Sequence, residues 1–215
     1  VTIIATAGNI ENIGGRIKGI DSVALVAENG DIINSSSIRT SLLNKGELHK
    51  SETDHILSIG SIESEGTTYV EGKNYISEAG LISGKTTVIK AEENILIGSA
   101  SLSGEDKFGE NKDNYQYYKG TEKVGSEVSG SENVVLEAGN KIDISGSTVA
   151  SDGTVQMTGK NINIVNEKEN TYLESKSKYK STFEKTESES RRSNEYAAAS
   201  TIIGNNIIID AEDSI

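Results

Sequence analysis

His49 and His55 are the only imidazoles in this chain of 215 residues, and they stand six residues apart. A zinc site needs three or four ligands of imidazole, thiolate or carboxylate type. The chain has no cysteine and no third histidine, and HExxH is absent. Both histidines are therefore read as exposed side chains. Carboxylates are plentiful, with 33 Asp and Glu. Glycosidic hydrolysis needs two of them facing across a cleft. Glu137, Asp143 and Asp152 are the set that can share a face, but the acidic residues scatter through turns, and solvated turn charges are the favoured reading. Two histidines beside one segment support no Ser-His-Asp set. No glycine-rich phosphate loop opens a helix, and the calcium-binding GGxGxD repeat is absent. No catalytic, cofactor-binding or metal-ligating residue is assigned, no cofactor is implied, and the chain is expected not to be an enzyme.

Composition explains what such a chain can be instead. Aromatic residues make up 5% and there is no Trp, so the core must be narrow and aliphatic. There is no Pro, which removes a ladder hydrogen bond and is excluded from paired strands. The 22 Gly suit many tight turns. The net charge of −12 argues against nucleic acid and anionic membrane as partners. No run of 18 apolar residues spans a membrane. The start, VTIIATAGN, lacks the basic flank of a signal peptide. Both ends read as cuts through a longer array.

A small residue recurs with fixed neighbours at Ala7, Ala27, Gly72, Ala91, Ala138, Gly159 and Ala211. Two and four residues before each stand mostly apolar side chains, such as Val23 and Leu25, or Val134 and Leu136. This alternation of period two marks half-buried strands. Asn usually follows two residues on, at Asn9, Asn29, Asn74, Asn140 and Asn161, with Asn94 slightly displaced. These Asn are read as turn residues that accept left-handed backbone and hydrogen-bond along a stack. A second strand follows, at Ile10, Ile32, Ile76, Ile95, Ile142, Ile162 and Ile215. A third is signalled at Ile17, Ile38, Ile82, Leu102 and Val149.

Three strands in about twenty residues make one coil of a solenoid. Ala7 to Ala27 is 20 residues, Gly72 to Ala91 is 19 and Ala138 to Gly159 is 21. A longer period separates Ala7, Gly72, Ala138 and Ala211 by 65, 66 and 73. The unit is two coils and an excursion, with excursions at about 41–55, 103–127 and 166–200. The fold expected is all-β: a right-handed parallel β-helix of about seven three-stranded coils, running through 1–215 as one fragment of a longer repeat array. The small residues form an inward column.

The excursions are of another kind. Eight of the ten aromatic residues lie in the last two. Residues 166–200 hold seven acidic and seven basic side chains. Lys176, Lys178 and Lys180 alternate, as do Glu187 and Glu189, which suits a hairpin with cross-strand ion pairs. A helix is the competing reading, because Tyr172, Tyr179 and Phe183 fit one helical face. The candidate partner surface is Tyr115, Tyr117, Tyr118, Tyr172, Tyr179, Phe183 and Tyr196, since exposed tyrosines make good contacts. The alternative is that these rings pack on the flank of the rod.

The segment GSEVSGSENVVLEAGNKIDISGSTVASDGTVQMTGKNINIV, with its charged, hydroxyl-rich continuation after Val165, resembles the haemagglutinin repeats of filamentous haemagglutinins, exoproteins of two-partner secretion systems. The resemblance implies a right-handed β-helix, export through an outer-membrane secretion partner, and display on the bacterial cell surface. It implies a host-cell or bacterial surface receptor as partner. Two readings follow from it: an adhesive structural segment, or the shaft of a contact-dependent growth inhibition protein. A polysaccharide-active β-helix enzyme is the reading from another class. Strand edges at the ends imply end-to-end self-association of the fragment.

Overall fold

The computed structural model describes residues 1–46 and 48–215; residue 47, inside the first expected excursion, lies outside the described residues. The described residues are all-β. The period-two stretches become strands that pair in parallel with the equivalent stretch of the next coil, 19 to 53 residues away. The first coil is β1 (Thr2–Ala5), β2 (Ile10–Ile13) and β3 (Arg16–Gly19). The next begins with β4 (Ser22–Ala27) and β5 (Ile32–Ser35), departs into a hairpin of β6 (Ser37–Asn44) and β7 (His49–Ser58), and closes with β8 (Ser61–Ser64). β9 (Thr67–Glu78) and β10 (Leu81–Gly98) then run round the corners without a break. A second hairpin, β11 (Ala100–Asn111) and β12 (Asn114–Val124), precedes β13 (Glu127–Ala138), β14 (Lys141–Ser145) and β15 (Thr148–Ser151). β16 (Thr154–Val165), a third hairpin of β17 (Glu167–Lys180) and β18 (Lys185–Ala198), β19 (Thr201–Ile203) and β20 (Asn206–Ser214) complete the chain.

Fourteen strands form one parallel sheet, an arrangement that fits a β-helix. Its first column is continuous from end to end: Ile3 pairs with Leu25, Leu25 with Val70, Val70 with Ile89, Ile89 with Leu136, Leu136 with Met157 and Met157 with Ile209. The second runs through Ile10, Ile32, Tyr75, Ile95, Ile142 and Ile162. The third runs through Ile17, Ile62, Ile82, Val128, Val149 and Ile202. Away from the ends these side chains are buried in one cluster, and they supply the apolar burial that holds the coils together.

Four details depart from the sequence reading. Ala5, not Ala7, is the partner of Ala27, and Ala7 is exposed. Two small residues two apart, each preceded by apolar residues, make a slip of two positions invisible in the pattern. Of the other small residues, Ala27, Gly72, Ala91, Ala138 and Gly159 are buried, and Ala211 is half-buried at the end of the stack. Tyr75, not Ile76, fills the second column; it is buried among aliphatic neighbours, and burial pushes its phenol up to about 12. Ile38 and Leu102 are hairpin residues, and their expected places are taken by Ile62 and Val128. The hairpins are inserted between the second and third strands of a coil rather than after it.

The corner between those strands alternates in kind. Where no hairpin leaves, it is closed by Gly14, Ala79 or Gly146, all with left-handed φ (65°, 52° and 54°). In the coils between, the chain departs at the same corner into a hairpin. The asparagines do not use left-handed backbone: Ala79 is the only non-glycine residue with positive φ among the described residues. Their amides bond along the stack instead. Asn94 donates to Asn74 Oδ1 at 2.8 Å and accepts from Asn140 at 2.9 Å, and Asn74 donates to Asp31 at 2.8 Å. The Asp31 N–H donates to Asn9 Oδ1, Asn29 donates to the Thr6 carbonyl, and Ser214 donates to Asn161.

Candidate functional site

The three hairpins join edge to edge in a six-stranded antiparallel sheet ordered β18-β17-β12-β11-β7-β6. Ser, Thr, Lys and Glu alternate along these strands with no apolar face, so the sheet has no core of its own. Apart from Ala100 at its root and Gly120, no residue described in these strands is buried. Cross-strand side-chain pairs therefore set its order. The third excursion is a hairpin with unbroken register from Glu167↔Ala198 to Lys180↔Lys185; the helical alternative does not occur.

Alternation divides the aromatic candidates between the two faces. Tyr115, Tyr117 and Tyr172 share one face with Lys107, Glu105 and Glu174. The rings of Tyr117 and Tyr172 meet edge-on, with centroids 5.9 Å apart, and Lys107 lies over Tyr115 at 5.3 Å. Tyr115 and Tyr172 each donate a hydroxyl to Glu174, at 2.6 and 2.7 Å, and Arg191 stands 3.7 Å away. These bonds, the Tyr115 bond first, hold the Glu174 carboxyl below the usual glutamate range. They also raise the phenols of Tyr115 and Tyr172.

Tyr118, Tyr179 and Tyr196 lie on the opposite face, and all three are exposed. Phe183 stands in the turn of the third hairpin, almost wholly in solvent. Tyr118 leans over the cross-strand pair Gly104 and Gly120, where a methyl group added at Gly120 would meet its hydroxyl oxygen at 2.5 Å. The structure thus brings together three of the seven candidates, separates three onto the other face, and leaves one at a tip.

Sequence reasoning missed two participants on this second face. Phe108 is exposed and packs edge-on against His49, with centroids 4.8 Å apart, so His49 is half-buried rather than exposed. His55 is exposed. Their adjacency depends on the register between hairpins, which no local pattern reveals.

The carboxylates singled out for hydrolysis do not converge. Glu137 lies in the first column and pairs with Lys90 at 2.6 Å. Asp143 lies in the second, bonded to Lys141 at 2.6 Å and Asn163 at 2.7 Å. Asp152 sits in the turn after the third strand. No group of three or more metal-ligating side chains occurs among the described residues.

A coil stack bearing a sheet of edge-joined hairpins defines a repeat protein whose chemistry is spread over a surface rather than gathered in a cleft. Residues 107–184 match the family model described as Hemagglutinin repeat, a stretch that begins in β11 and ends in the turn of the third hairpin. That match supports the likeness to the filamentous haemagglutinin family. No curated protein and no solved structure matches the chain.

Proposed function

We propose that this chain is a non-enzymatic shaft segment of a secreted, surface-displayed adhesin of filamentous haemagglutinin type. The carrying observation is the hemagglutinin repeat at 107–184, which spans parts of two hairpins and the whole coil between them. Seven levels in the first column and six in each of the other two support a count of about seven coils. A right-handed path is the hand that parallel crossovers take in almost all cases. Seven levels give a rod of roughly 30 Å. The mechanism is passive: the buried columns fix reach, and the hairpin sheet presents tyrosine-bearing faces to a receptor on a host or bacterial cell. Export through an outer-membrane partner fits a chain free of cysteine and proline. A shaft of a contact-dependent growth inhibition protein is the second reading, favoured by the same repeat.

The test compares the chain with a version whose second and third hairpins are replaced by short Gly/Asn turns, in binding to host and bacterial cells. Loss of binding with β-rich circular dichroism retained supports the adhesive reading. Equal binding by both versions overturns the role of the hairpins, and no binding by either removes receptor contact from this segment.

A further inference from the structure

The third hairpin outreaches the second. β17 pairs with β12 as far as Lys176, and the Lys178 N–H then donates to Asn114 Oδ1, at the outer end of β12, at 2.7 Å. Beyond that contact come the cross-strand pairs Tyr179↔Thr186 and Lys180↔Lys185, and residues 181–184 turn the chain. Neighbouring strands of a sheet add sideways, along the hydrogen-bond direction, so a further strand does not cap this apex.

Ser181 fixes the turn. Its N–H donates to the Glu184 carbonyl at 2.7 Å, and its hydroxyl oxygen accepts the N–H groups of Phe183 and Glu184 at 3.3 and 3.0 Å. Phe183 is left at the outermost point, 98% exposed, with Tyr179 60% exposed behind it. A phenyl ring held in water contributes no burial to the fold. The charge around it is opposite in sign to that of the chain. The whole carries −12, but residues 176–185 hold Lys176, Lys178, Lys180 and Lys185 against Glu184 alone, a local charge of +3. Asp113 lies 3.9 and 3.7 Å from the two inner lysines, so the outer pair carries the excess. Lys180 stands directly opposite Lys185, a like-charge pair whose repulsion an anion between them removes.

We propose that this apex is a membrane-touching tip. Phe183 enters the interfacial region of a bilayer, Tyr179 lies at headgroup level, and Lys180 and Lys185 pair with anionic headgroups. Aromatic rings favour that interface, and basic side chains are drawn to an anionic leaflet. The exposed ring separates this partner from a soluble polyanion, which would engage the lysines and leave Phe183 in water. The contact is peripheral and needs no protein receptor, so it goes beyond binding by the faces of the hairpin sheet. The net charge speaks against an anionic membrane only as an average over the chain.

The chain has no Trp, so Phe183→Trp makes the apex its only indole. On vesicles of phosphatidylglycerol and phosphatidylcholine its emission should shift to the blue and be quenched by bromine on the acyl chains. Vesicles of phosphatidylcholine alone should do neither. Co-sedimentation of the wild-type chain with the mixed vesicles should fall severalfold in Phe183→Ser. It should fall about tenfold in Lys180→Gln with Lys185→Gln. All three residues are exposed and lie outside the coil columns, so the fold tolerates these changes, and circular dichroism checks it. An indole that stays in water on the mixed vesicles overturns the proposal. So does co-sedimentation that either variant leaves unchanged; if only Phe183→Ser is without effect, the apex is a site for charge alone.

Discussion

The hydroxyl of Tyr115 donates to Glu174 at 2.6 Å across the junction between the second and third hairpins. Glu174 accepts a second hydroxyl from Tyr172, on its own strand. Two phenols thus hold one carboxylate where two hairpins meet. The bonds favour its ionised form, so its pKa is lowered in the folded chain.

The sign of the pH dependence follows. A lowered carboxyl pKa gives stabilisation that is present above the ordinary glutamate range and is lost as pH falls through the folded-state value. Near-ultraviolet circular dichroism of the tyrosines should therefore hold steady above that range and fade on acidification below it. Glu174→Gln should weaken the signal at neutral pH and flatten this acid step. An unchanged step in the variant would assign it to other carboxylates.

Core substitutions should separate the middle of the stack from its ends. Leu136 is fully buried between Ile89 and Met157, and Leu136→Ala should cost about 2–5 kcal/mol in denaturant unfolding. Ile207, in the last coil, is 44% exposed, and Ile207→Ala should cost well under half as much. Ala91→Leu should overpack the inward column by roughly 1–3 kcal/mol.

The left-handed corner gives a third test. Gly146 has φ 54°, and an added methyl would lie 3.0 to 3.2 Å from Glu167 and Ser99 side-chain atoms. Gly146→Ala should lower stability by about 1–2 kcal/mol, read from the denaturation midpoint. Ala150→Gly, on a nearby strand, serves as a control for simple loss of β-propensity.

The amide stack can be cut at one rung. Asn94 both donates to Asn74 and accepts from Asn140. Asn94→Ala should cost about 1 kcal/mol, because half-exposed Asn74 and exposed Asn140 each lose a bond. If Asn94→Ala and Asn74→Ala are additive in a double-mutant cycle, the rungs act independently and the stack has no collective role.

The columns were legible because burial imposes a period of two, and Ala27, Gly72, Ala91, Ala138 and Gly159, chosen from that pattern, are buried. The slip at Ala7 came from a neighbouring alanine that fits the same pattern. Tyr75 was passed over because an isoleucine stands beside it. The hairpins' long-range pairing was not legible at all. Lys176 and Lys178 stand opposite Glu189 and Glu187, as the alternation suggests, yet their nearest carboxylate is that of Asp113 in the adjacent hairpin, at 3.9 and 3.7 Å. Glu189 turns to Arg191 instead. Which partner wins depends on a neighbouring strand some sixty residues away in sequence.

Every hairpin leaves and re-enters at one corner, between the second and third strands of its coil. The cross-section of the stack is therefore the same whether a hairpin is present or a single left-handed residue closes the turn. The hairpins run from Ser37 to Ser58, Ala100 to Val124 and Glu167 to Ala198, each longer than the last, while the columns beside them keep their register. The rod and its display are separate variables. Mutation can lengthen, shorten or recolour what the molecule shows to its surroundings while the pitch that carries it stays fixed, as a rack keeps its spacing whatever is hung on it.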